Sequence, residues 1–489
     1  MRNTIRGIHK WLPVLIQTLF TLQQLKIIPQ LYIHECMRSF YRLAYLPVLI
    51  FFANSLQAQL VSGPMLGPVE LRTAKLWVEV KPGSSADLWY WKKGEMPTAK
   101  RLIKKTSADL WFAPVIFDIV ALEVNTTYEY QFIINNTVNK KPSKADGSFT
   151  TKDLWQWRKP APDFSFLTGS CAYFNEPAVD RPGKPYGGDS SIFESMAKEK
   201  AAFMLWLGDS WYTREVDYAD KWGLWNRASH DRSFPVLKNF LKSTSHFAIW
   251  DDHDYGPNDI GTNYILKEES REVFKNYFLN TSYGMNGQGI YSMISYGDVD
   301  VFMMDDRWWR SADDMKDTVD GKANADKHMW GKEQLEWLKN SLLFSKAPFK
   351  IIATGSQVLN PVSPYDRLVN CPVEYDEIMS FLKTSNISGV LFLTGDRHHS
   401  EIIKVEREGI YPLYDVTASP LTSGTHVFSG PEKNNPYRIY GLDQKQNYTK
   451  FSFSGVRNQR KLTVEFFGVK GEKLGEWMVN ENELKNSKK

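Results

Sequence analysis

Between Gly63 and Thr151 apolar and polar residues alternate with a period of two, in the runs Ala74–Val80, Ala86–Trp91, Val115–Val120 and Thr127–Ile134. That period sends successive side chains to opposite faces, so each run predicts a half-buried strand. Lys81-Pro82-Gly83 and Asn135-Asn136 supply turn residues between them. Strands at this spacing predict a small all-β, immunoglobulin- or fibronectin-like sandwich over 59–155. Lys159-Pro160-Ala161-Pro162 reads as a linker. Beyond it the pattern changes. Phe164–Thr168, Phe203–Leu207, His246–Trp250, Val299–Met304, Phe349–Thr354, Val390–Thr394 and Leu413–Val416 are strand-length apolar runs. Ser191–Lys200, Lys267–Phe278, Lys332–Phe344 and Tyr375–Lys383 carry helical spacing, with Leu335, Leu338 and Leu342 on one face. This alternation predicts an α/β domain over 163–480. Its last stretch, Arg460–Val479, returns to strands around a turn at Gly471, and a polar tail occupies 481–489.

The N-terminus has the order of a signal peptide. Arg38 and Arg42 precede the apolar run Leu43–Phe52, and small or polar residues follow as far as Ala58. Residues 1–58 therefore form a targeting segment, with 1–36 an over-extended start before Met37. The alternative is an uncleaved anchor or an amphipathic leader containing Trp11 to Phe20. The apolar run is too short for a mature membrane span. The expectation is an exported protein (periplasmic, cell-surface or secreted) with no stable span after cleavage. Its net charge of +4 over 489 residues argues against nucleic acid as a structural partner and against an anionic membrane surface. With Cys36 ahead of the cleavage point, Cys171 and Cys371 remain, too few for a disulfide framework.

The candidate chemistry follows the predicted strands. Their C-terminal ends lead into Gly169-Ser170-Cys171, Gly208-Asp209-Ser210-Trp211-Tyr212, Asp251-Asp252-His253-Asp254, Asp305-Asp306-Arg307, Gly355-Ser356-Gln357 and Gly395-Asp396-Arg397-His398-His399. In α/β sheets ligands collect beyond the strand carboxyl ends. Two cations need carboxylate, imidazole and thiolate groups from several segments, because one short loop cannot surround both. Singly, each block has a plain reading: a capped Gly-Asp turn, a buried core cysteine, a solvated His-His turn. Three carboxylates flanking His253 are harder to place without a compensating charge.

Gly208-Asp209-x-x-Tyr212, Asp251-Asp252-His253-Asp254 and Gly395-Asp396-x-His398 resemble the ordered blocks of the calcineurin-like metallophosphoesterase superfamily. More closely they resemble its PhoD-like branch (alkaline phosphatase D family), with Ser170-Cys171 as the first block and Gly331-x-x-Gln334-x-x-Trp337-Leu338 as a further one. The resemblance spans residues 60–480. It implies a metallophosphatase-type two-sheet β-sandwich flanked by helices, and hydrolysis of phosphate mono- or diesters. It further implies Asp209 as a bridging carboxylate and Cys171, Tyr212 and His398 around a ferric ion. Asp252 and Asp396 would hold a second, oxygen-loving ion such as calcium. His253 would act as general acid or orient the substrate, and Arg307, Arg397 and His399 would face phosphate or support the site. Asp254 stands where the branch commonly has Glu, and Trp211 where a smaller aliphatic residue is usual. Two alternatives remain at this point. One is a phospholipase or phosphodiesterase on lipid or wall polymer, with Trp211, Trp308 and Trp309 as an apolar platform; the other is an inert exported binding protein.

Overall fold

The computed structural model describes residues 59–136 and 142–486. The expected targeting segment 1–58 lies outside the described residues. A nine-stranded sheet runs in the order Lys473–Asn480, Lys461–Gly468, Asn447–Ser454, Phe164–Gly169, Phe203–Leu207, Ser245–Ile249, Leu60–Val69, Ala74–Val80, Pro114–Ile119. A seven-stranded sheet has the order Ser292–Tyr296, Val299–Met303, Phe349–Ala353, Val390–Thr394, Ile410–Thr417, Ser400–Arg407, Arg438–Leu442. Aromatic rings join them: Phe164 lies 4.7 Å from Tyr296 and Phe349 lies 5.3 Å from Phe453. The central strands are parallel in both sheets. Every residue of Phe203–Leu207, Ser245–Ile249 and Val390–Thr394 is buried. Both faces of these strands are covered, which is why they read as unbroken apolar runs rather than as an alternation.

The N-terminal strands keep a core of their own, built from Leu76, Val78, Leu88, Phe117, Phe132 and their neighbours. A four-stranded sheet, Lys100–Lys105, Ser84–Lys92, Thr127–Asn136, Ser143–Thr150, forms one layer. The facing layer is the end of the nine-stranded sheet. Leu60–Val69 pairs in parallel with Ser245–Ile249 through Leu66 and Ser245, so the sheet continues across the expected boundary at 155–163. Trp77 faces the larger core and donates from Nε1 to the Asn276 carbonyl at 2.8 Å. The strand Leu60–Val69 carries no alternation, and its Gly and Pro residues hide it in the sequence.

The helices Lys267–Tyr277 and Lys332–Phe344 lie where the spacing places them. The Tyr375–Lys383 helix extends to Pro372–Thr384, with proline in the first turn. Ser191–Lys200 shortens to Ile192–Met196. Lys221–Arg232 has no apolar stripe, because its buried face carries Arg227, Asp231 and Arg232. Arg227 is satisfied there by Asp217 at 2.7 Å, Glu176 at 2.9 Å and Asp231 at 3.1 Å.

Candidate metal centre

The loops leaving the central strands meet in unusual backbone conformations. Cys171, Asp209, Asp396 and His398 have φ of +60°, +51°, +63° and +56°. A side chain in this left-handed region costs about 1–2 kcal/mol, so the surrounding packing must hold all four. Gly208 (φ +91°) makes the approach possible, since a Cβ there would lie 2.5 Å from that of Asp251. Gly395 does the same on the other sheet, where a Cβ would lie 2.8 Å from that of Ser170.

Two sets of donors result. Cys171, Asp209 and His398 each place a ligand atom within 4.8 Å of the others, and so do Asp209, Asp252 and His253. Asp209 belongs to both. Cys171 Sγ lies 3.6 Å from Asp209 Oδ2 and 3.5 Å from the Asp396 carbonyl oxygen. The Tyr212 hydroxyl is 3.5 Å from His398 Nε2, and its ring lies 4.2 Å from that of His253. His398 Nδ1 meets the Gly424 carbonyl at 2.6 Å. A proton donated there leaves the Nε2 lone pair turned toward Tyr212, the tautomer a ligating imidazole needs. Backbone N–H groups of Asp259 and His253 donate to Asp252 at 2.8 Å each, and that of His253 reaches Asp209 Oδ1 at 3.3 Å. His253 Nδ1 is buried with no partner. Asp396 joins neither set of three, although its carboxyl feels the charge of Asp252.

Burial governs the electrostatics. Burial, then the neighbouring Asp252 and Cys171, raise Asp209 well above the usual carboxylate range. The Cys171 thiol is pushed up to about 11 by burial, with Asp396 adding to the shift. Burial and Asp209 raise the Tyr212 phenol well above its ordinary value. Asp396 is raised to about 6 by burial, which Arg397 opposes. At Asp252 burial is outweighed by His253 and Arg307, so its carboxyl sits below its ordinary value. A pocket that concentrates acidic donors and holds their protons this tightly suits cations, which replace those protons. Thiol, phenol and the His398 imidazole gather on one side of Asp209, and Asp252 with His253 on the other. The donor set thus fits two different ions.

Asp254 is a tether. Its carboxylate accepts from Ser210 N at 2.8 Å, Trp211 N at 3.2 Å and Asp251 N at 3.1 Å. The three expected phosphate-facing groups are each committed to internal carboxylates. Arg307 binds Asp251 through Nε at 2.6 Å and Asp366 at 3.2 Å. Arg397 meets both oxygens of Glu432 at 3.0 Å, and His399 lies 3.4 Å from Glu401. Trp211 is buried against Phe278, and Trp308 against Trp250, so neither forms part of an exposed platform. Three contacts were missed by the sequence reading. The Tyr186 hydroxyl stands 3.2 Å from His398 Nδ1, Ser419 Oγ lies 3.2 Å from Cys171 Sγ, and the His426 ring stacks 4.6 Å from that of His398. Ser419 follows the strand Ile410–Thr417, where the strand-end rule would have found it. Tyr186 sits in a polar loop that carries no such signal.

A family model described as PhoD-like phosphatase matches residues 166–468. The chain belongs to the PhoD-like phosphatase family. All the clustered donors of this PhoD-like chain fall inside the matched span, while the N-terminal strands precede it. Alkaline phosphatase D of Bacillus subtilis (strain 168) is 25% identical over 323 residues, covering 57% of this chain and 52% of that protein. The match thus spans about half of the relative's length. The solved structure of PhoD superposes with a TM-score of 0.68 at 19% identity, covering 87% of this chain and 90% of that one. Purple acid phosphatase PPD1 from yellow lupin follows with a TM-score of 0.60 at 11% identity, covering 85% and 74%. Both superpositions bear on the fold: the paired-sheet architecture expected from the PhoD-like resemblance is the one they share.

Proposed function

We propose that the chain is an exported, two-metal phosphoesterase acting on phosphate mono- or diesters. The observation that carries this reading is Asp209, the one carboxylate common to two donor sets of different chemistry. Cys171, Asp209, Tyr212 and His398 would hold the ion for which thiolate and phenolate are suited, ferric iron. Asp209, Asp252 and Asp396 would hold the oxygen-loving one, calcium. When bound, the pair would supply Lewis acidity and positive charge for an in-line displacement at phosphorus. The chain's own residues do the rest. Asp209 fixes the two sets in register. His398, locked by the Gly424 carbonyl, offers one nitrogen only. His253, whose Nδ1 has no protein partner, holds a proton for the departing alkoxide, a role worth about 10²–10⁴-fold in rate for a positioned acid. Arg307, Arg397 and His399 brace the loops through their carboxylate partners.

The test compares turnover of a chromogenic monoester and diester with elemental analysis of the same sample. Chelation should abolish turnover, and Asp209→Asn should fold, as read by circular dichroism, yet retain neither ion and lose activity. Near-normal turnover in that variant would overturn the proposal.

A further inference from the structure

Away from the donor cluster, a cleft of about 560 Å³ opens between the loop before Pro114–Ile119 and the helices Lys221–Arg232 and Lys267–Tyr277. Aromatic rings line it: Trp111, Phe112, Trp222 and Trp225. Phe112 and Trp225 are near-parallel with centroids 6.2 Å apart, which fixes the loop against the helix. Trp111 is 77% exposed and Trp222 48%, large rings that bury little of themselves in the fold. The remaining polar lining is acidic: Asp109, Glu268, Glu269 and Glu272 against the single cation Lys221. Glu272 is paired with Lys275 at 3.2 Å, whereas Glu268 and Glu269 have no ion pair among the described residues. The Lys221 ammonium already rests 4.7 Å from the centroid of the Trp222 ring, so the aromatic face offered to a ligand is that of Trp111, which is 77% exposed.

An apolar chain entering here would strip water from unpaired carboxylates, which is costly. An anion would be repelled. A cation with an apolar surface is attracted by the ring faces and by the carboxylates together. We propose that this cleft binds a quaternary ammonium group. The site lies apart from the metal centre, and its test requires neither metal nor turnover.

The probe is choline, titrated into the full chain and followed by ligand-observed NMR beside dimethylbutanol, its uncharged carbon analogue. Choline should bind saturably and at least about tenfold more tightly than the analogue. Trp111→Ala, at an exposed position that leaves the core untouched, should weaken choline about tenfold. The double variant Glu268→Gln/Glu269→Gln should weaken it several-fold without affecting the neutral analogue. Equal binding of choline and dimethylbutanol, absence of saturable choline binding, or choline affinity unchanged in both variants would each refute the assignment.

Discussion

Cys171 and Tyr212 show what the centre asks of single residues. Burial pushes the thiol up to about 11 and raises the phenol well above its ordinary value, so both stay protonated at neutral pH unless a cation displaces the proton. If the ion beside them is ferric, thiolate or phenolate donation to it gives the protein a visible charge-transfer absorption. That band should disappear in Tyr212→Phe or Cys171→Ser while circular dichroism is retained. An active but colourless protein would call for another ion. At this scale much was legible in the sequence, because Cys171, Asp209, Asp252 and His398 each follow a strand whose apolar run is unmistakable. Tyr186 was not, since its place depends on a loop folding back to bring its hydroxyl within 3.2 Å of His398 Nδ1. Nor could the sequence say whether Arg307 meets substrate or protein. An arginine after a strand reads the same in either case; the fold adds its bond to Asp251 and leaves its Nη1 buried without a protein partner.

The elements around the centre are held by carboxylates and amides that accept from backbone. Asp254, in the short helix Asp252–Tyr255, ties that helix to the loop carrying Asp209 and Tyr212 through the N–H groups of Ser210 and Trp211. The short Asp254 side chain makes these bonds directly. Asp254→Ala would leave buried donors unpaired at about 1–3 kcal/mol each before relaxation. A loss of roughly 2–4 kcal/mol in urea-unfolding stability is expected, together with weaker metal retention. A variant with parental stability would show that the tether is dispensable. Gln334 works similarly on the second sheet: its side chain accepts from Asp305 N and donates to the Asp305 carbonyl, both at 2.7 Å, joining the helix Lys332–Phe344 to a strand end. That helix was legible because Leu335, Leu338 and Leu342 form a stripe. Lys221–Arg232 was not, because burying a face of charged residues leaves no hydrophobic period to read.

Across the whole molecule, the least legible feature is the continuity of the first sheet. Alternation over 74–134 predicts strands that the fold contains, but nothing local reveals that Leu60–Val69 pairs with a strand nearly two hundred residues later. Glu79 makes that junction testable. It lies on Ala74–Val80, and its Oε1 accepts from Ser229 and Tyr277 at 2.8 Å each, while Oε2 is buried without a partner. Burial raises its carboxyl to about 7 from a usual 4.5, against the pull of those two bonds. The folded chain therefore holds this proton more tightly than the unfolded one. The stability Glu79 contributes is complete below pH 4.5 and is lost as pH rises through about 7. Glu79→Gln keeps an acceptor for Ser229 and Tyr277 but cannot ionise. In chelator-treated protein, where metal release at low pH does not intrude, the stability of Glu79→Gln minus that of the parent should grow between pH 5 and pH 8. The increase expected from a shift of this size is on the order of 2–3 kcal/mol, read from urea midpoints at each pH. Ionisable groups common to both proteins cancel in that difference. A flat difference across the range would mean that water reaches Glu79 in the folded state, and that the seam between the N-terminal strands and the helices Lys221–Arg232 and Lys267–Tyr277 is open.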